Sequence, residues 1–167
     1  MKLIIREMLR ERLLGAKIAP ENEIFSAYNG RYLFDVSKAY KLIETSGVSV
    51  EIKKFGPILL KQFSHPEFSA VDNSKINSLK NKIDYNRPLG ILVNFRNPDT
   101  KQTEWILIDG NHRVRIAGDA GENALLYVIK NPDDVNSFMR FNKKMKHELF
   151  PVDENRNIQK LLNSVIK

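Results

Sequence analysis

One stretch of the chain joins an apolar strand pattern to a run of polar and ionisable residues. Residues 105–108 are apolar, and they lead through Asp109 and Gly110 into the sequence Asn-His-Arg. A helix that begins here presents backbone N–H groups and a partial positive charge, which together attract an anion. Gly110 lets the backbone approach a ligand closely, and the guanidinium of Arg113 matches the oxygens of a phosphate group. The stretch therefore predicts a phosphate-binding site at a strand-to-helix turn.

The polar side chains of this stretch have defined chemical capacities. Asp109 is a candidate general base or Mg²⁺ ligand, because magnesium takes one or two carboxylates and completes its shell with phosphate oxygens. His112 is a candidate general acid or a donor to a phosphate oxygen. Asp109 and His112 are therefore the catalytic candidates. The phosphate-binding candidates are the residues at the predicted helix start: Gly110, Asn111, His112, Arg113 and Arg115.

These residues also have structural interpretations. Asp before Gly is common in turns, where the carboxylate can cap the following N–H groups. A basic residue in the first turn of a helix opposes the helix dipole, so Arg113 is unfavourable there unless an anion compensates it. We take that cost as an argument for a ligand. The histidines at 65, 112 and 147 lack the spacing of a zinc site.

Composition limits the classes of function. The chain has 167 residues, 27 Lys and Arg against 20 Asp and Glu, a formal net charge of +7 and no cysteine. The length suits one compact domain, and the charge favours anionic partners such as nucleotides, DNA or RNA. The lack of cysteine excludes disulfides and thiolate chemistry. No apolar run is long enough for a signal peptide or a membrane span, so we expect a cytoplasmic protein without a membrane partner.

Hydrophobic periodicity and turn residues predict the elements that position the candidate site. Residues 16–34 show no regular pattern and are predicted to form a loop, and residues 58–60 are too few to assign. Predicted helices cover 1–14, 36–46, 72–86, the residues after Asp109, and the segments that begin near Asp133 (with Val135, Phe138 and Met139) and near Asp153 (with Ile158, Leu161, Leu162 and Val165). Predicted strands cover 48–52, 91–95, 105–108 and 125–129.

In the helix after Asp109, the small residues Val114, Ala117, Gly118 and Gly121 form a face that suits close packing on a sheet. The order helix, strand, strand, helix, strand predicts an α+β domain with a small mixed sheet.

A second candidate site lies nearer the C-terminal end of the sequence. Residues 140–147 combine five potentially basic side chains with one aromatic ring on a predicted helix. Basic residues interleaved with an aromatic side chain are typical of nucleic-acid contacts, although a solvated helix face gives the same pattern. The nucleic-acid-binding candidates are Arg140, Lys143, Lys144 and Lys146.

Residues 48–134 resemble the ParB/sulfiredoxin-like superfamily, which includes ParB-like nuclease domain proteins. The resemblance rests on the Gly-Asn-His-Arg box at 110–113 with Arg115 and Ala117, on the segment 88–93, and on the strand 125–129 followed by Pro-Asp-Asp. It implies a core over 48–134 with packed helices, an N-terminal helical elaboration over 1–47 and C-terminal helices over 135–167. It also implies a nucleotide pocket at the box for CTP or ATP with Mg²⁺, used in different relatives for DNA clamping, phosphoryl transfer or nuclease activity.

Departures from the family pattern narrow these implications. Sulfiredoxin carries its reactive cysteine inside the box, where this chain has Asn111. Partition proteins carry a second motif, Glu-Asn-x-x-Arg. The segment 154–158 begins with Glu-Asn but has Ile158 where the motif has its arginine, so we do not expect a partition clamp. Free-serine kinases of the superfamily use acidic residues beside the box. Asp109 suits that role, and Glu21, Glu23 and Glu51 are candidates for a second acid.

The sequence thus leads to one hypothesis and two alternatives. The hypothesis is a ParB-like domain that binds a nucleotide or phosphate at the box and hydrolyses a phosphate ester or acts on DNA. The alternatives are a non-enzymatic nucleic-acid-binding protein and a small-molecule phosphotransferase. The nucleotide, the occurrence of turnover and homo-oligomer formation are left open.

Overall fold

The computed structural model describes residues 23–28, 30–63, 80–144 and 152–166, with the side chains of the last stretch from residue 158 onward. The predicted helix over 1–14 and most of the one over 72–86 lie outside these residues. In chain order the elements are β1 (Ile24–Ala27), β2 (Tyr32–Asp35), α1 (Val36–Thr45), β3 (Glu51–Phe55), α2 (Pro57–Phe63), β4 (Pro88–Arg96), β5 (Thr103–Asp109), α3 (Asn111–Asp119), β6 (Ala124–Ile129), α4 (Pro132–Val135), β7 (Met139–Phe141) and α5 (Val152–Val165). The predicted α+β fold class is confirmed.

A mixed sheet of four strands forms the centre of the fold, in the order β3-β6-β4-β5. β4 and β5, which contain the strands predicted over 91–95 and 105–108, form an antiparallel hairpin with Asn94 opposite Trp105. β6 lies parallel to β4, and β3 lies antiparallel to β6. A parallel pair needs a crossover connection, which β5 and α3 supply here.

Both faces of the central sheet are buried, because alternate side chains of its strands enter two separate cores. Ile91, Val93 and Phe95 of β4 face a core shared with α1 and the smaller sheet. Leu92 of the same strand faces a core shared with α2, α3 and α5, to which Leu60 and Leu162 contribute. The central strands are therefore apolar on both sides, as strands covered on both faces must be.

The helix predicted over 36–46 forms as α1, and Asp35 caps its start. Asp35 Oδ1 accepts a hydrogen bond from the backbone N–H of Lys38 at 2.9 Å, which satisfies one of the donors at the helix start. The helix ends at Ser46, which adopts a left-handed conformation with φ of 59°. Its buried face carries Tyr40, whose position matters for the candidate site.

A second, three-stranded antiparallel sheet has the order β1-β2-β7. The predicted loop over 16–34 is therefore wrong for the part of it that the structure describes. Tyr32 and Phe34 of β2 are fully buried in the core that contains Ile91, Val93 and Phe95. Leu33 between them is also apolar, so the alternation that identifies a half-buried strand is missing from the sequence.

The predicted helix near Asp133 is also wrong in its extent. α4 has only four residues and starts after Asn131, whose side chain accepts the N–H of Asp133 at 3.0 Å. Phe138 lies beyond its end, and Met139 belongs to β7, which pairs with β2. Phe138 is buried as predicted, but tertiary pairing has replaced helical continuation.

Several boundaries differ from those predicted. β3 begins at Glu51 instead of residue 48, and residues 58–60 belong to α2. The helix predicted over 72–86 does not extend to Ile83, because the chain forms a turn at 81–82. The segment 23–47 contains two strands, and the segment 135–167 contains β7, so neither consists of helices alone.

The C-terminal helix α5 forms as predicted and packs against the core that it shares with α2 and α3. Leu162 is fully buried, whereas Leu161 and Val165 are exposed on the other side of the helix. The predicted apolar face is therefore only partly used. Among the helices that the structure describes, none is long and apolar enough to cross a membrane.

Candidate functional site

Asp109 is the last residue of β5, and a β-bulge sets the direction of its side chain. Leu92 of β4 pairs with Leu107, but the preceding residue, Ile91, pairs with Asp109, so Ile108 is an extra residue on β5. Strict alternation would place Asp109 on the same face as Leu107, whereas the bulge places it on the face of Ile91. That face is the one that α1 covers.

The carboxylate of Asp109 is buried and has partners from two helices. The residue is only 7% exposed. The hydroxyl of Tyr40 in α1 donates a hydrogen bond to Oδ2. Nη2 of Arg113 in α3 lies 3.3 Å from the same oxygen and forms an ion pair with it. Two segments distant in sequence, α1 and the turn from β5 into α3, therefore fix one buried carboxylate at the end of the central sheet.

The backbone of the box lies directly against the start of β4. Gly110 has a φ of 85°, and a β-carbon there would lie 2.1 Å from the carbonyl oxygen of Leu89. A β-carbon on Gly90 would lie 2.0 Å from the carbonyl oxygen of Asp109. The two glycines thus make this close approach possible. Sequence reasoning missed Gly90, although a glycine inside a strand pattern is a signal for close backbone contact.

Helix α3 begins immediately after this contact. Its N-cap is Gly110, which has no side chain to cap the first turn, and that turn contains no acidic residue. The carbonyl of Gly110 accepts the first helical hydrogen bond, from the N–H of Val114 at 2.8 Å. The N-cap position therefore belongs to Gly110 and not to Asp109. The helix start has the polarity that an anion requires.

The structure gives a different explanation for the basic residue Arg113 in the first turn of α3. The Asp109 carboxylate provides the negative charge that compensates its unfavourable position near the helix start. The dipole cost is therefore no evidence for a ligand. The side chain of Arg113 is 19% exposed, and its one hydrogen bond within the described part of the chain uses Nη2. Since a guanidinium has five N–H donors, the contacts with described residues leave most of them for phosphate oxygens.

The other predicted box residues divide into two groups. His112 is half-buried in the first turn of α3, beside Arg113. The side chain of Asn111 is buried, and its Nδ2 donates to the carbonyl of Leu107 at 3.1 Å, so this side chain serves the structure rather than a ligand. Nε of Arg115 pairs with Asp119 at 3.4 Å, toward the other end of the helix. The structure does not bring Arg115 to the box.

The small residues of α3 pack differently from the prediction. Val114 and Ala117 enter the core that α3 shares with α2 and α5, as expected. Gly118 instead lies against α2, since a β-carbon there would be 3.2 Å from the carbonyl oxygen of Pro57. Gly121 lies beyond the end of the helix, in a turn. The small face therefore accommodates a neighbouring helix as well as the sheet.

The candidates for a second acid are not equivalent. Glu51 lies on β3, three strands from β5 and roughly 14 Å away. Its Oε1 accepts from Nζ of Lys130 at 2.7 Å, and this hydrogen bond lowers the pKa of Glu51. Glu51 is therefore not brought to Asp109. Glu23 contacts the first turn of α1, where its N–H donates to Ser37 Oγ at 3.1 Å. Glu21 lies outside the described residues.

No metal cluster supports Asp109 as an ion site by itself. Within the residues that the structure describes, no group of three or more His, Asp or Glu side chains could hold a metal ion. An Mg²⁺ ion at Asp109 would therefore take most of its ligands from phosphate oxygens and water.

Tyr40 is the site residue that sequence reasoning did not identify. It occupies a buried position of α1, and its ring meets the Tyr127 ring edge to face with centroids 6.3 Å apart. Its hydrogen bond spans 69 residues of sequence, and at the local level it is one apolar position among four in an amphipathic helix.

The second set of candidates lies elsewhere. Arg140 is on β7, and Lys143 and Lys144 are in the turn that follows, so none is on the predicted helix. Lys146 lies outside the described residues.

The fold and the site together define an α+β protein with two sheets and a buried aspartate at a strand-to-helix turn. Comparison with protein-family models, curated proteins and solved structures gives no match to this chain.

Proposed function

We propose that the chain is a ParB/sulfiredoxin-like protein that binds a nucleotide phosphate at the start of α3. The observation that carries the proposal is the buried Asp109 carboxylate, fixed by Tyr40 and Arg113 beside a helix whose N-cap is a glycine and whose first turn has no acidic residue. A β-bulge directs this carboxylate, and β-bulges are over-represented beside active sites. The basic net charge of +7 also supports an anionic ligand.

In this proposal each residue has a separate task. The first-turn N–H groups of α3 and the remaining guanidinium donors of Arg113 hold phosphate oxygens. Asp109 orients Arg113, and it either ligates Mg²⁺ together with the phosphates or accepts a proton from the attacking hydroxyl. His112, in the same turn, donates a proton to the leaving oxygen. Hydrolysis of a phosphate ester and transfer to a small hydroxyl substrate both use this arrangement.

A thermal unfolding panel tests the binding step. The full chain is melted with CTP, ATP, GTP, UTP or inorganic phosphate, each with and without Mg²⁺. We expect CTP or ATP with Mg²⁺ to raise the Tm, since a ligand at 100 times its Kd stabilises by about 2.7 kcal/mol. Arg113→Ala should abolish the shift. Arg115→Ala is the matched control, because it removes the same charge from the same helix and should leave the shift in place. A Tm that no nucleotide moves, or equal losses in both variants, would contradict the proposal.

Turnover is tested separately. Phosphate release from the bound nucleotide, and cleavage of linear DNA, are measured for the wild type and for Asp109→Asn. We expect the variant to lose turnover while Mg²⁺-independent nucleotide binding persists, because the amide neither ligates magnesium well nor accepts the proton. Undiminished turnover in Asp109→Asn would remove Asp109 from both roles.

A further inference from the structure

Two turns meet at the end of the central sheet that is farthest from the box. One is the connection 97–102 between β4 and β5, and the other is the turn at 142–144 after β7. Asp109 pairs with Ile91 near the start of β4, whereas Arg96 pairs with Thr103 beside the connection. Five residues of strand separate these pairs, or roughly 17 Å. The two turns thus form a surface that is separate from the box.

Arg31 holds the two turns together. Its Nε and Nη2 donate to the two carboxylate oxygens of Asp99, each at 2.7 Å, in a bidentate pair. Its Nη1 lies 3.5 Å from the carbonyl oxygen of Lys143. Its guanidinium also lies over the ring of Phe141, 4.6 Å from the centroid. A planar guanidinium that uses both edges and one face fixes its partners more firmly than a lysine could.

This arrangement leaves three lysines at the rim. Lys101, Lys143 and Lys144 are exposed, and none forms an ion pair with another residue in the described part of the chain. The carboxylates of the same end are already engaged. Asp99 is paired with Arg31, and Glu104 accepts hydrogen bonds from Tyr28 and Asn97 at 3.0 and 2.9 Å.

The acidic residues of α4 lie on the other side of this end. Asp134 accepts the N–H of Ser49, just before β3, at 3.2 Å, and Asp133 precedes it on the same short helix. Ser49 precedes β3, which is the edge strand on the side away from β5. The Asp134 carboxylate is therefore directed away from the β4–β5 connection and its lysine.

We infer that the basic turn surface, defined as Lys101, Lys143 and Lys144 with Arg31 between them, binds the phosphate backbone of a nucleic acid. Exposed lysines on two turns that Arg31 joins suit a ligand with regularly repeated charges. A membrane surface suits it less, because interfacial binding needs apolar groups beside the charges. Among the described residues, the large exposed apolar side chains are Ile24, Ile58, Leu161 and Val165, and none belongs to either turn. The inference is independent of the nucleotide proposal.

Fluorescence anisotropy with labelled DNA measures the binding. Duplex DNA of about 20 base pairs, the same single strand and its RNA equivalent are titrated with the full chain at several salt concentrations. We expect affinity to fall steeply with salt. The variant Lys101→Gln/Lys143→Gln/Lys144→Gln should lose at least about tenfold in affinity near 0.1 M salt, with a salt slope smaller by up to about 3. The control Lys38→Gln/Lys41→Gln/Lys54→Gln removes three exposed lysines elsewhere and should lose less than about threefold. Equal losses would overturn the inference.

Asp99→Asn separates fixed geometry from net charge. The substitution removes a negative charge, so attraction by charge alone predicts tighter binding. The bidentate pair with Arg31 is also lost, so the organised surface predicts binding weaker by about threefold or more. Far-ultraviolet circular dichroism and the Tm show that the variant is folded. Equal or tighter binding by the folded variant would overturn the inference, and so would equal binding of the wild type to anionic lipid vesicles. The Lys101→Gln/Lys143→Gln/Lys144→Gln variant should keep the nucleotide-dependent rise in Tm, so failure of the nucleotide proposal is distinguishable from failure here.

Discussion

Two glycines of this chain have similar backbone angles but different surroundings. Gly110 has a φ of 85° and Gly121 a φ of 70°. A β-carbon at 110 would collide with the backbone of Leu89, whereas a β-carbon at 121 would meet nothing within 4 Å. The left-handed conformation alone costs a residue with a β-carbon about 1–2 kcal/mol. The pair therefore separates conformational strain from packing.

We expect Gly110→Ala to destabilise the protein far more than Gly121→Ala. The change at 121 should cost about 1 kcal/mol, the conformational term alone. The change at 110 should cost at least about 2 kcal/mol more, because the box must move away from β4 and rigid backbone atoms yield poorly. Urea unfolding of both variants measures the difference. Similar losses in the two variants would show that the box and β4 are not in close contact in solution.

Asp109 shows why the location of the site was predictable and its geometry was not. The strand pattern, the glycine and the basic first turn are local signals, and they identified the strand-to-helix turn. The direction of the carboxylate depends on an extra residue in the pairing of β5 with β4. Its partner Tyr40 lies 69 residues away. Neither the bulge nor the hydrogen bond from Tyr40 can be recognised from neighbouring residues in the sequence. Both fix the position of the Asp109 carboxylate, whose charge offsets that of Arg113.

At the scale of elements, α5 closes the free edge of β5. The side-chain amide of Gln159 accepts the backbone N–H of Trp105 at 2.5 Å and donates to its carbonyl at 2.9 Å. One side chain thereby replaces the peptide group of a neighbouring strand. The indole Nε1 of Trp105 also donates to Asn163 Oδ1 at 2.8 Å. An edge covered in this way is protected from pairing with another chain.

Gln159→Ala should expose this edge. We expect faster hydrogen exchange at the Trp105 amide and a loss of about 1–2 kcal/mol in stability, because two hydrogen bonds to buried backbone groups disappear. Trp105 is the one tryptophan in the sequence, so its fluorescence reports the same site. The exposed neighbour Lys160 supplies the control, Lys160→Ala, which should change neither signal. Unaltered exchange at Trp105 in Gln159→Ala would mean that α5 does not cover the strand in solution.

The elements that periodicity predicted are those whose own residues stabilise them. α1 has a capping aspartate and a clear apolar face, and β4 and β5 are long apolar strands. β1, β2 and β7 have three or four residues each. β1 and β2 pair locally, but β7 joins them only by pairing across more than 100 residues of sequence, as between Tyr32 and Phe141. Val135 and Phe138 keep the helical spacing and are both buried, yet the chain leaves the helix between them.

At the scale of the whole molecule, a buried polar network joins the two sheets. The hydroxyl of Tyr32 in β2 donates to Asn97 Oδ1 at 2.6 Å and also contacts Asp99, both in the β4–β5 connection. Tyr28 reaches Glu104 of β5 from the same side. The rings of Tyr32 and Phe141 stack with centroids 5.7 Å apart. The small sheet is thus fixed to the central one by directional bonds as well as by the shared core.

Because of this network, we expect the free energy of unfolding to depend on pH in the alkaline range. Burial, together with the hydrogen bond to Asp99, raises the pKa of Tyr32 above its ordinary range. The folded state therefore holds the phenol proton more tightly than the unfolded state, whose pKa is about 10. The stabilisation is complete below pH 10 and is lost as pH rises through the folded pKa. The loss should reach at most about 1.4 kcal/mol per pH unit, the value for one proton.

Tyr32→Phe isolates the contribution of this phenol. The variant should be less stable than the wild type at neutral pH, because Asn97 and Asp99 lose a donor. Above pH 10 its free energy of unfolding should fall less steeply, since lysine titration is common to both proteins and only the wild type must release the Tyr32 proton on unfolding. Urea unfolding at a series of alkaline pH values measures both slopes, and absorbance of tyrosinate near 295 nm reports when the phenol ionises. Parallel slopes in the two proteins would show that the junction between the sheets does not hold the proton.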